Sequence, residues 1–101
     1  MEDAWLAGIY EGEGSITQRR GTNTFQIRIK MTDYDVLERV LQIAGCGTLL
    51  PVKTYQSHHK QAWQWAIGAK KDITNVLSRI LPFLGHRRAY KALNALDAYE
   101  L

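Results

Sequence analysis

The clearest period along the chain lies between Thr24 and Met31, where Phe25, Ile27, Ile29 and Met31 alternate with Thr24, Gln26, Arg28 and Lys30. A repeat of two puts the apolar set on one face of a strand and the polar, basic set on the other. Just upstream, Ile16, Gln18 and Arg20 alternate with Ser15, Thr17 and Arg19, and Gly21-Thr22-Asn23 supplies turn chemistry, so the two runs read as a hairpin. A second, looser hairpin is predicted from Gly47 to Tyr55 and from Lys60 to Gly68, around Gln56-Ser57-His58-His59. Pro51 marks an edge or a bulge there, and Trp63, Trp65 and Ile67 share a core face.

Helical spacing fills the remainder. Asp3 is a candidate N-cap for a first helix running to about Tyr10 or Glu11, where Gly12 and Gly14 favour a change of direction. Thr32, with Asp35 three residues later, gives a capping-box pattern ahead of Val36, Leu37, Val40, Leu41 and Ala44, and Gly45 stops that helix. Ile73, Val76, Leu77, Ile80 and Leu81 make a third stripe closed by Pro82, and Arg87 to Leu101 reads as a last helix using Tyr90, Leu93 and Leu96. The order is α-ββ-α-ββ-α-α, an α+β fold in which helices cover the Phe25/Trp63 face of one antiparallel sheet. The Thr24/Gln26/Arg28/Lys30 face stays open.

With 101 residues, 46% of them hydrophobic, the chain suits a single domain spanning 1–101, and no segment duplicates another. A lone cysteine, Cys46, excludes an intrachain disulfide and a multi-cysteine metal site, reads as a small packed residue, and points to a reducing, intracellular setting. The apolar run Ala4 to Tyr10 has no basic region before it and soon meets Glu11 and Glu13, so it is expected to be neither signal peptide nor membrane anchor. A net charge of +3 suits a polyanionic partner without demanding one. Neighbouring His58 and His59 sit in a loop and make a poor metal site.

More specific chemistry resides in Leu6-Ala7-Gly8-Ile9-Tyr10-Glu11-Gly12-Glu13-Gly14. Two glutamates at the C-terminal end of a helix oppose its dipole and call for a cation. Gly8 and Gly12 strip side chains from one helical face, which lets another helix approach closely. Two such helices meeting, with Leu6, Ala7, Gly8, Glu11 and Gly12 at the seam, would set two Glu13 carboxylates side by side. Hard divalent cations such as Mg²⁺ would relieve their repulsion.

This segment resembles the signature of the LAGLIDADG homing endonucleases, with Ser15-Ile16 continuing it; Leu6, Ala7, Gly8, Gly12 and Gly14 match, while Ile9, Tyr10, Glu11 and Glu13 are substitutions of similar character. That family's core unit is α-ββ-α-ββ-α with a saddle-shaped sheet and helices on its convex face, so the resemblance covers most of the chain. It implies a metal held by Glu13 and the Gly12 carbonyl, with Glu standing where the signature has Asp. It also implies both hairpins in the DNA major groove, a short stagger leaving 3′ extensions, and a gene borne by a mobile intron or intein.

The open face then reads as a DNA-binding ribbon of Thr17, Arg19, Thr24, Gln26 and Arg28, whose Arg and Gln side chains suit base edges, with Lys30 and Lys53 equally suited to phosphate. Lys60 and Gln64 join them from the second hairpin, opposite the tryptophans. The basic first turn His86-Arg87-Arg88 opposes the dipole of the last helix and hints at an anion nearby. Relatives carry a Lys or Arg after such a Pro-aromatic-Leu stretch, close to the scissile phosphate, which makes Arg87 the candidate to stabilise charge in phosphoryl transfer and Arg88 its alternative. Asp33 either caps the second helix or orders water at the active site. The expectation is a homodimeric, Mg²⁺-dependent endonuclease acting on double-stranded DNA, with no membrane or small-molecule partner. The alternatives are a non-catalytic binder such as an intron maturase or regulator, and a plain structural dimer.

Overall fold

The computed structural model describes residues 2–22, 24–53 and 60–100; Asn23, Tyr55 and the Gln56-Ser57-His58-His59 loop lie outside the described residues. Its elements are α1 (Glu2–Glu13), β1 (Gly14–Gln18), β2 (Phe25–Met31), α2 (Tyr34–Ala44), β3 (Thr48–Val52), β4 (Ala62–Ile67), α3 (Lys70–Ile80), a 3₁₀ turn (Leu81–Phe83) and α4 (His86–Glu100). The four strands form one antiparallel sheet in the order β1-β2-β4-β3. Pro51 accordingly lies on an edge strand, the place in a sheet that tolerates a residue without an N–H.

The alternation predicted for β2 holds. Ile27 and Ile29 are buried together with Trp65 and Ile67 of β4, against Leu6, Tyr10, Leu37, Val40, Ile73 and Leu77 from the helices. Trp65 satisfies its one polar atom by donating from Nε1 to the Cys46 carbonyl at 3.0 Å. Cys46 itself is half-buried, and desolvation raises its thiol pKa above the ordinary value, as befits a packed residue.

Three helix ends differ from the sequence reading. First, α1 begins at Glu2, so Asp3 is not an N-cap but an acid in the first turn, paired with Arg79 of α3 (Nη2 to Oδ1, 2.8 Å). The same guanidinium donates to the Ile43 and Ala44 carbonyls at 2.9 and 3.2 Å, satisfying acceptors that the end of α2 leaves open. Second, α1 continues through Gly12 to Glu13, past the expected stop. Third, Asp33 rather than Thr32 is the N-cap of α2, which leaves Asp35 at the second helical position, one short of where a capping box would close. Asp33 caps through its backbone carbonyl, which accepts from Val36 and Leu37, and its side chain makes no cap bond.

In α4 the buried positions are Ala92 and Ala95, with Leu96 and Tyr99 packed beside them; Tyr90 and Leu93, expected on the core stripe, are 68% and 45% exposed. The small alanines let α4 lie close, and Tyr99 seats its ring edge-on to Phe25 at 5.3 Å while its hydroxyl accepts from the Phe25 amide.

Replacing Arg79 by Met should lower stability by about 1–2 kcal/mol in urea denaturation, because charged hydrogen bonds to two carbonyls are lost along with the Asp3 pair. A change below about 0.5 kcal/mol would show that these contacts contribute little.

Candidate active site and nucleic-acid interface

Helix α1 passes straight into β1, with no residue between Glu13 and Gly14. That junction needs glycine at 14: a Cβ there would run into the Tyr10 ring and lie 2.7 Å from the Tyr10 carbonyl oxygen. The two acids of the segment have separate environments. Glu11 is half-buried; its Oε1 accepts from the Gly85 amide at 2.6 Å, and its Oε2 lies 3.0 Å from Arg88 Nε, an ion pair without hydrogen-bond alignment. Gly85 immediately precedes α4, so the anion that the basic first turn of that helix calls for is Glu11 itself. Arg88 also donates from Nη1 to the Gly14 carbonyl at 2.6 Å and lies 5.3 Å from the centre of the Tyr10 ring. Burial raises the Tyr10 phenol pKa above its ordinary value, partly offset by the charge of Arg88.

Glu13, by contrast, is exposed and makes no ion pair or side-chain hydrogen bond among the described residues. The next residue, Gly14, lines a cleft of about 200 Å³ together with Tyr10, Ser15, Ile16, Arg87, Arg88 and Lys91. Arg88 is committed to Glu11 and Gly14. Arg87 and Lys91, one helical turn apart and both exposed, have no acidic partner among the described residues. Of the two candidates, Arg87 is the one whose side chain has no carboxylate or carbonyl partner among the described residues. Lys91 was missed in the sequence, where only its i+4 spacing from Arg87 could have signalled it.

On the uncovered side of the sheet the register sets out a lattice of side chains. Ser15 faces Arg28, Ala66 and Thr48 across the four strands; Thr17 faces Gln26; Lys30 faces Gln64 and Leu50. Arg28 donates from Nε to Gln26 Oε1 at 2.8 Å, which holds both side chains in place before any ligand arrives. Arg19 and Thr24 close the first hairpin through an amide-to-carbonyl bond of 2.8 Å. Thr17, Arg19, Thr24, Gln26 and Arg28 line one hollow of about 410 Å³. Lys60, just before β4, and Lys53, just after β3, are exposed at the other end of the sheet, away from that hollow.

The model of the LAGLIDADG-like domain matches residues 1–81, four-fifths of the chain. The chain belongs to the LAGLIDADG family. Its fold is that of solved homing endonucleases: I-CvuI with its target and calcium (TM-score 0.71, 22% identity, 99% of this chain and 67% of that one), I-TnaI (0.68, 16%, 96% and 70%), and I-GzeII in complex with its DNA target (0.72, 17%, 92% and 33%). A search of curated proteins finds no match. The chain thus spans about two thirds of the length of I-CvuI and one third of I-GzeII. Arg87 and Lys91 lie beyond the matched residues and share a cleft with Gly14 and Ser15.

Within the LAGLIDADG helix, Leu6 and Ala7 are each 1% exposed and belong to the chain's own core. They offer no side-chain surface to a second copy, which corrects their placement at a seam. Glu11 likewise spends its carboxylate inside the chain. Gly8 and Gly12 are exposed, and a Cβ added at either would meet nothing within 4 Å. Asp33 sits four residues beyond Ile29, the rung that Gly14 pairs with, and its carboxylate is unused in capping. No cluster of three His, Cys, Asp or Glu side chains able to hold a metal occurs among the described residues. Nor is any described helix long and apolar enough to cross a membrane.

Arg88→Ala should destabilise the fold by about 1–3 kcal/mol, by orphaning Glu11 and the Gly14 carbonyl. Arg87→Ala should leave stability within about 0.5 kcal/mol of wild type. Thermal and urea unfolding of the two variants check this directly, and equal losses would contradict the assignment of Arg88 as the committed cation.

Proposed function

We propose that this chain is a site-specific double-strand DNA endonuclease that works as a homodimer with divalent metal. One observation carries the reading: of the two motif acids, Glu11 is consumed in anchoring the end of α1, while Glu13, the residue before the cleft-lining Gly14, is left exposed and without an ion pair among the described residues. Solved relatives are complexes with DNA targets, I-CvuI in the presence of calcium or magnesium, which supports the same ligand classes here.

Glu13 and the Gly12 carbonyl would hold the metal. The fit is chemical: one free carboxylate, plus a backbone oxygen in the last helical turn where carbonyls lack intrahelical partners, is the hard-oxygen set that Mg²⁺ accepts while keeping several waters. When bound, the ion supplies an activated water and charge neutralisation at phosphate. The protein's own groups do the rest. Arg87 meets the scissile phosphate and offsets its growing negative charge; Asp33 orders water through its unused carboxylate. Thr17, Arg19, Thr24, Gln26 and Arg28 read base edges, and Lys30, Lys53, Lys60 and Gln64 seat the duplex from the rest of the open face. The action belongs inside the cell, where the DNA lies and where the free thiol of Cys46 stays reduced.

Gly8 and Gly12 support the dimer. An internal helical glycine costs roughly 0.5–1 kcal/mol relative to alanine, and nothing inside this chain requires either one. Their requirement comes from a second α1 packed against the same face, which brings two Glu13 carboxylates to one duplex.

Selection of cleaved sites from a randomised duplex library with Mg²⁺ tests the activity. Glu13→Gln should abolish cleavage of the recovered sites while leaving binding within about threefold; unchanged cleavage by Glu13→Gln sinks the assignment. Gly8→Ala and Gly12→Ala should each raise the stability of the dilute chain by about 0.5–1 kcal/mol and yet lower its self-association at least tenfold. If stability and association move in the same direction, the glycines are not an interface device.

A further inference from the structure

The open face has two halves of different chemistry. On β1 and β2 it presents Ser15, Thr17, Gln26, Arg28 and Lys30; on β4 and β3 it presents Ala62, Gln64, Ala66, Thr48, Leu50 and Val52. Leu50 is 61% exposed at the centre of the second half, level with Gln64 and Lys30 on one rung. The other large exposed apolar residues described, Tyr34, Phe83, Tyr90 and Leu93, lie on or next to helices.

From this placement we infer that Leu50 is a specificity residue that reads the 5-methyl group of a thymine in the major groove. The inference rests on the proposed reading of the open face as the DNA interface. Charge complementarity names the occupant: the Arg28/Lys30 stripe shares this face with Leu50 and suits a polyanion. Strands lie about 4.8 Å apart, so Leu50 and Lys30, separated by β4, stand about 10 Å from each other. That span fits a groove about 12 Å wide, so Lys30 reaches one wall as Leu50 meets the floor. Of the groups that base pairs display in that groove, the thymine methyl is the apolar one, and Leu50 has no hydrogen-bonding atom with which to read anything else. Closing Leu50 and the methyl together removes both from water, whereas a cytosine there would leave its amino donor facing Leu50 and unpaired.

The experiment uses duplexes recovered from the library selection, with each thymine in turn replaced by deoxyuridine, and measures binding by wild type and by Leu50→Ala. For wild type, one thymine in each half-site should lose about fourfold in affinity per methyl removed, and other positions should be insensitive. With Leu50→Ala, whose thermal unfolding should match wild type because the side chain is exposed, that penalty should disappear. An equal penalty in both proteins, or no sensitive position in a duplex that wild type binds, overturns the inference and leaves the nuclease reading standing. If wild type binds no duplex, both fall together. A change in sedimentation of the free Leu50→Ala chain would mark the patch as a contact between copies and would also overturn the inference.

Discussion

Everything at the working end of this molecule depends on the Glu11–Arg88 pair. A twelve-residue helix with two internal glycines and two acids at its C-terminal end is poorly suited to holding its last turn. The remedy comes from α4: the Gly85 amide and the Arg88 guanidinium take the Glu11 carboxylate, and a second Arg88 nitrogen takes the first carbonyl of β1. The arrangement answers two dipole conflicts at once, since an acid that disfavours the end of α1 is the anion that the basic start of α4 requires. The backbone of Glu13 is thereby anchored on both sides, although its own carboxylate has no ion-pair or hydrogen-bond partner among the described residues. A carboxylate anchored by its neighbours and left free to bind is what the proposed metal site would need.

The motif glycines divide in the same way as the acids. Gly14 is explained by the chain alone, because Tyr10 fills the space a side chain would occupy. Gly8 and Gly12 find no such neighbour. A helix surface kept bare at a conformational disadvantage, beside an unpaired carboxylate, is understandable if the missing contacts lie in a second copy.

Much of this was legible in the residues. Strict alternation in β2 identified the buried face and the open face, because a one-residue slip would have exposed Ile27 and Ile29 and buried Arg28 and Lys30. The Leu6-to-Gly14 segment pointed to Glu13 and to the family. What local patterns did not carry was long-range pairing. Asp3 looks like a cap until Arg79, 76 residues away, claims it. Glu11 and Glu13 look alike until α4 folds back onto one of them. Leu6 and Ala7 lie within the signature but turn inward, and which side of a short helix meets its own core is decided by the sheet beneath it. In α4 the large residues Tyr90 and Leu93 outweighed Ala92 and Ala95 as a pattern, yet the smaller pair permits the close approach that packing rewards. Lys91 and Leu50 escaped for a related reason: one becomes interesting only beside Gly14, the other only on a rung with Lys30.

The central claim is that two copies bring two Glu13 carboxylates to one duplex. Sedimentation equilibrium of the chain with a selected target in Ca²⁺ measures it most directly. The account predicts two chains per duplex, formed cooperatively. One chain per duplex at saturation, with double-strand cleavage intact once Mg²⁺ replaces Ca²⁺, would contradict it.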